Sequence, residues 1–176
     1  MYFLREGLLV VKPLFGASKL SYEISTLKSS LCSVHAFLDH DKSGKEAVNL
    51  AVKDGLIKVA DYHFSICNGM QESEIEDCLN AKIYSQKIKD EYGVSLNHAN
   101  FRSSNKKWSD RLKSTFYSSG KNWDVSIENQ LKKIVSDKVK DNPSIALNIH
   151  KKVLLMNLFN HLKKNWPNPH NYEREI

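Results

Sequence analysis

The segment Phe37-Leu38-Asp39-His40-Asp41-Lys42-Ser43-Gly44 constrains this chain more than any other. An apolar run from Ser33 to Leu38 ends in two acids one residue apart, then a glycine, then apolar residues at helical spacing (Ala47, Val48, Leu50, Ala51). The run reads as a buried strand, and acids at its carboxyl end face the crevice where parallel sheets gather their ligands. Hard divalent cations favour such oxygens. The same residues have a plainer use, because Asp41 or Ser43 can cap the helix that follows. An EF-hand loop is excluded: its twelfth position requires a bidentate Glu, and here that position is Leu50. A phosphatase with Asp39 as nucleophile fits less well, since Lys42-Ser43-Gly44 departs from the Asp-x-Asp-x-Thr pattern.

The flanking sequence repeats the alternation. Leu8 to Val11 reads as a strand running into Pro13, and Tyr22, Ile24, Leu27 and Leu31 mark one face of a helix from about Ser21 to Leu31. The helix after Asp41 stops at Gly55, and a third strand falls within Lys58 to Cys67. Ile75, Leu79 and Ile83 at four-residue spacing predict a helix from about Glu72 to Asp90. Residues 96–123 show little periodicity and suggest an irregular lid or short helices; two helices follow, about Ser126 to Lys140 and Pro143 to Lys164. The expected fold class is α/β: a mostly parallel sheet of about four strands flanked by helices, with a C-terminal helical extension. Residues 1–95 form the expected core, 96–165 its lid and C-terminal helices, and 166–176 a flexible tail.

Charge is distributed unevenly over the 176 residues. The formal net charge is +6, acids gather at 72–77, and bases gather at 102–113, 132–140 and 151–164. Such a division predicts a metal pole and a phosphate-binding face, with Arg102, Lys106, Lys107, Arg111 and Lys133 as candidate nucleic-acid contacts. The nearby Phe101, Trp108, Phe116, Tyr117 and Trp123 read as core or lid packing rather than base-stacking platforms. No apolar run approaches the roughly 20 residues needed to span a bilayer, and no signal-peptide core is evident, so a cytoplasmic protein is expected. Cys32, Cys67 and Cys78 have no Cys-x-x-Cys spacing and are expected to act as small buried hydrophobes. His150, His161 and His170 lack zinc-site spacing and read as surface or core residues.

The second chemical feature is Gly69-Met70-Gln71-Glu72-Ser73-Glu74-Ile75-Glu76-Asp77, with four acids in six residues. Capping at a helix N-terminus accounts for one or two of them. Four repel one another unless a cation compensates, which points to a metal. In order, Asp39-His40-Asp41-Lys42-Ser43-Gly44-Lys45-Glu46-Ala47 and Met70-Gln71-Glu72-Ser73-Glu74-Ile75-Glu76-Asp77 resemble the TOPRIM domain of the OLD-family (overcoming lysogenization defect) nucleases, over about residues 8–160. Lys12-Pro13-Leu14-Phe15-Gly16-Ala17-Ser18 is similar to that family's glycine-containing turn.

The resemblance implies a DNA endonuclease that uses two Mg²⁺ or Mn²⁺ ions. It implies Asp39 and Asp41 as catalytic metal ligands, Glu74, Glu76 and Asp77 as further ligands, and Lys132 as the catalytic lysine, with Lys133 adjacent. It also implies DNA as partner and an ATPase domain or subunit, with a homodimer as a further expectation and no membrane. This chain has no Gly-x-x-x-x-Gly-Lys-Ser/Thr loop, so no ATP site is expected in it. The family's first strand and its glutamate have no counterpart: Glu6 in Arg5-Glu6-Gly7 lacks the Asp that should follow. A truncated, catalytically silent module that binds nucleic acid or a partner subunit is therefore the competing expectation.

Overall fold

The computed structural model describes residues 9–102, 105–148 and 153–164. His150, His170 and the tail from residue 165 lie outside the described residues. The chain is α/β. Among the described residues, a two-stranded parallel sheet, β1 (Ala36–Leu38) and β2 (Tyr62–Phe64), is surrounded by helices α1 (Leu20–Ser29), α2 (Lys42–Lys53), α3 (Ser85–Tyr92), α4 (Ala99–Arg102), α5 (Trp108–Ser118), α6 (Val125–Asp141) and α7 (Val153–Lys164). Ala36, Phe37 and Leu38 pair in register with Tyr62, His63 and Phe64.

The sheet is smaller than the sequence suggests. Val10 and Val11 form no strand and stand 77 % and 76 % exposed. An apolar run becomes a strand only if a neighbour takes up its backbone groups, and Pro13 lacks the N–H to continue a ladder. The helix expected over 72–90 is also replaced, by two 3₁₀ turns (Ile75–Cys78 and Ala81–Ile83) ahead of α3. Here the backbone is claimed from far away: Asn80 N–H donates to Ala146 O (2.8 Å), Asn148 N–H donates to Cys78 O (2.9 Å), and Leu79 bridges Leu147. The same pairing keeps 143–148 out of a helix, so α7 begins at Val153 rather than near Pro143.

Two apolar clusters form the interior. One joins Leu20 and Ile24 of α1 to Ala36 and Leu38 of β1, Val48 and Ala51 of α2, and Ile57. The face of α1 turned inward is set by Leu20 and Ile24; Tyr22 and Leu31, expected on that face, are 71 % and 96 % exposed. The other cluster gathers Tyr84, Ile88, Val94, Leu96, Phe101, Trp108, Leu112, Phe116, Leu131 and Val135. It runs across the boundary expected at residue 95, so α3 packs with α5 and α6 in one core. Phe101, Trp108 and Phe116 are core residues, Trp123 packs edge-on to Phe116, and Tyr117 is exposed. Each fully buried aromatic or aliphatic side chain contributes about 1.5–3 kcal/mol, enough to fix α5 firmly. Cys67 and Cys78 are buried with their sulfurs 3.5 Å apart, as small hydrophobes; Cys32, by contrast, is exposed.

Candidate functional site

Where the two clusters meet, the chain places its acids. β1 ends at Leu38, and Asp39 and Asp41 follow at its carboxyl end. Asp41 is the N-cap of α2, its Oδ1 accepting from Gly44 N–H (2.9 Å), so the capping role and the strand-end position coexist in one residue. The turn is tight enough to require a glycine: a Cβ on Gly44 would stand 2.2 Å from the Asp39 carbonyl oxygen. A cleft of about 290 Å³ opens beside the pair, lined by Leu14, Gly16, Phe37, Asp39, Asp41 and Gly44. The glycine turn at 12–18 therefore lies against the aspartates.

The acidic segment 72–77 crosses beneath this strand end. His40 and Ser73 exchange backbone hydrogen bonds (2.8 and 2.9 Å), which brings Ile75 N–H to Asp39 Oδ1 (2.9 Å). Glu72 Oε1 accepts from Lys42 N–H (3.1 Å) at the start of α2. Glu74 and Asp77 turn towards α5: Glu74 Oε2 accepts from Ser109 N–H (2.8 Å), its Oε1 from Ser109 Oγ (2.9 Å), and Asp77 Oδ2 from Trp108 N–H (3.1 Å). The Arg111 guanidinium pairs with Asp77 Oδ1 and lies 4.6 Å from the centre of the Phe101 ring. Arg111, expected at a nucleic-acid face, is thus turned into the protein. Asp77, expected as a metal ligand, is an anchor whose two oxygens are already engaged.

Lys107 joins the seam. Its ammonium lies 2.9 Å from Asp41 Oδ2 and 3.4 Å from Glu74 Oε1, between two expected metal ligands rather than on an outer basic surface. Lys132, on α6, pairs with Glu128 at 3.2 Å and adds positive charge to the field at Asp39, Asp41 and Glu76. Arg102, Lys106 and Lys133 are exposed.

The protonation balance reflects this crowding. Burial raises Asp39, with the charges of Glu74 and Asp41 adding to the rise and the Ile75 N–H and Lys132 opposing it. Burial pushes Glu76 up to about 7 against the pull of Lys132, and its Oε2 is buried with no hydrogen-bond partner. Asp41 behaves oppositely: burial is outweighed by the Gly44 N–H and Lys107, and it lies below the ordinary carboxylate range. For Asp77, burial prevails over its bonds to Glu74 N–H, Arg111 and Trp108 N–H. Lys107 and Lys132 are both raised, the neighbouring carboxylates overcoming burial.

Oxygen donors of the kind a hard cation takes are therefore gathered from β1, the 72–77 segment and the α2 cap, and one of them is unpartnered. Among the described residues, however, no group of three His, Cys, Asp or Glu side chains is arranged to hold a metal ion. The cation this structure places between Asp41 and Glu74 is Lys107. Sequence reading found the acids and Lys132 but missed Lys107 as an internal partner and Ser65, whose Oγ approaches Asp39 Oδ1 (3.5 Å). Neither has a local signature, since both acquire their role through long-range packing.

No helix among the described residues is long and apolar enough to cross a membrane. No family model, no curated protein and no solved structure matches the chain.

Proposed function

We propose that the seam around Asp39, Asp41, Glu74 and Glu76 is the cation-dependent centre of a TOPRIM-type, OLD-like nuclease that cleaves phosphodiester bonds in DNA. The observation carrying this reading is Glu76. A carboxylate oxygen is left buried without a donor, close enough to feel Asp39 and Glu74 and opposite Lys132, and its proton affinity is pushed up to about 7. A divalent cation would relieve that repulsion.

Asp39, Asp41 and Glu76 would hold Mg²⁺ or Mn²⁺, while Glu74, with both oxygens engaged by Ser109, would add negative charge beside them. Bound ions of this kind neutralise phosphate charge and lower the pKa of bound water. The chain's own contributions are distinct. The Ile75 N–H fixes the Asp39 carboxylate, Asp41 keeps its charge through the Gly44 N–H and Lys107, and Lys132 would oppose charge that grows on a phosphate. The exposed Arg102, Lys106 and Lys133 would position the DNA backbone.

A second reading is favoured by Lys107. With its ammonium between Asp41 and Glu74, the seam is neutralised internally, as suits a catalytically silent module that binds nucleic acid or a partner subunit. Plasmid DNA with Mg²⁺ or Mn²⁺ separates the two. The nuclease reading expects nicking by the wild type, abolished by Asp39→Ala and reduced about 100-fold or more by Lys132→Ala. Nicking that survives Asp39→Ala removes the metal-site assignment, and DNA binding without nicking by any form favours the silent module.

A further inference from the structure

At the opposite end of the strand pair three histidines meet. His35 directly precedes β1, His63 lies in the middle of β2, and His161 lies on α7. His35 Nε2 and His63 Nδ1 are 2.8 Å apart, and the three ring centroids form a nearly equilateral triangle with sides of 4.9, 4.9 and 5.0 Å. His35 and Asp39 are four residues apart along extended chain, about 13 Å, so this cluster is separate from the acidic seam. The inference does not rest on the proposed nuclease reading.

Three imidazoles drawn from three elements to one point need a reason. One hydrogen bond joins His35 and His63, and the His161 ring packs against both. A divalent ion bound by three imidazole nitrogens at 2.0–2.1 Å in tetrahedral geometry sets those nitrogens about 3.3 Å apart and the ring centroids about 5 Å apart. The observed triangle already has the second dimension, and the His35–His63 pair is within about 0.5 Å of the first. As the rings stand, no trio of donors surrounds a single point. Closure therefore requires the three rings to reorient towards a common point.

We propose that His35, His63 and His161 form a zinc site that fastens α7 to the β1–β2 sheet, with water in the fourth position. Imidazole nitrogen suits this class of borderline ion, whereas Mg²⁺ prefers oxygen and gains nothing here. Held this way, α7 is cross-linked to the strand pair that also carries Asp39, and the ion contributes to the stability of the C-terminal helix.

The test is titration of the full chain, prepared without an oligohistidine tag, with Zn²⁺ by calorimetry and with Co²⁺ by visible absorption. One equivalent of Zn²⁺ is expected, with a four-coordinate cobalt(II) spectrum and slowed amide exchange in α7. His161→Ala and His63→Asn are each expected to weaken Zn²⁺ binding at least about 100-fold, since even loss of an outer partner costs 10–100-fold. Circular dichroism confirms that each variant is folded, and either one alone decides the question. Asp39→Asn with Glu76→Gln should leave Zn²⁺ binding unchanged. Zn²⁺ affinity that survives either histidine substitution in a folded variant, that is lost with the acidic pair, or that is absent from the wild type overturns the proposal.

Discussion

Gly44 and Glu76 show how single residues set the seam's properties. At Gly44 the space for a Cβ is filled by the Asp39 carbonyl at 2.2 Å, so Gly44→Ala must push α2 away from the strand end. Overpacking of this kind costs about 1–3 kcal/mol, and the expected result is a lowered Tm, together with, on the proposed nuclease reading, weaker binding of divalent cations at the aspartates. An unchanged Tm would contradict the close approach. Glu76 carries a pH dependence whose sign is fixed by burial. Its pKa is raised from 4.5 to about 7, so the folded chain holds a proton there that the unfolded chain has released. Stability from this group is fully present below about pH 4.5 and is lost as pH rises through about 7. Glu76→Gln keeps the shape and removes the charge. It should stabilise the metal-free protein at pH 8, by about 2 kcal/mol once partial solvent screening is allowed for, and leave it little changed at pH 4.5. Thermal unfolding at the two pH values checks this, and equal effects at both would show that Glu76 is not the strained group.

At the scale of elements, the anchoring of α5 is the clearest case. Asp77 accepts from the Glu74 and Trp108 N–H groups and pairs with Arg111, while Glu74 takes both the N–H and the hydroxyl of Ser109. The first turn of α5 thus docks on two carboxylates, the favourable arrangement for a helix N-terminus. Asp77→Asn leaves the Arg111 guanidinium without a counter-charge in a nearly closed site, and such breaks cost about 3–5 kcal/mol. The loss should appear equally with and without Mg²⁺, because neither Asp77 oxygen is free for an ion; a loss that Mg²⁺ repairs would make Asp77 a ligand after all. This docking also marks the limit of what the sequence disclosed. The strand ending just before Asp39, the helix capped by Asp41 and the helix α6 were legible because their signals are local: an apolar run, a cap, a regular spacing. The helix expected over 72–90 was right only from Ser85: Ile75, Leu79 and Ile83 have helical spacing, yet the chain there forms two 3₁₀ turns, and Asn80 N–H and Cys78 O bond to Ala146 and Asn148. Lys107 and Arg111 looked like surface bases because composition does not reveal which acid a base will meet. The histidine triangle, drawn from positions 35, 63 and 161, has no linear signature at all.

For the molecule as a whole, the seam couples two separate apolar clusters. One is built around β1 and α2 and the other around α5 and α6, and the charged bonds from Lys107, Glu74 and Asp77 run between them. A cation at the seam therefore governs how the halves hold together, and in this structure that cation is Lys107. Lys107→Gln leaves Asp41 and Glu74 facing each other without a counter-charge. It should destabilise the metal-free protein by roughly 1–3 kcal/mol, lowering Tm by about 3 °C or more. If the seam also receives a divalent ion, the ion and the ammonium compete for the same oxygens, so removal of Lys107 should tighten Mg²⁺ binding while it weakens the metal-free fold. Mg²⁺ is the appropriate ion because it does not engage the imidazole cluster. Saturation to about 100 times Kd stabilises by about 2.7 kcal/mol, so the Mg²⁺-induced rise in Tm at a fixed concentration should be larger in Lys107→Gln than in the wild type. An equal or smaller rise means that the ion binds away from Asp41 and Glu74. Lys107 would then be the permanent counter-ion of the seam, and the chain would act as a binding module in place of a nuclease.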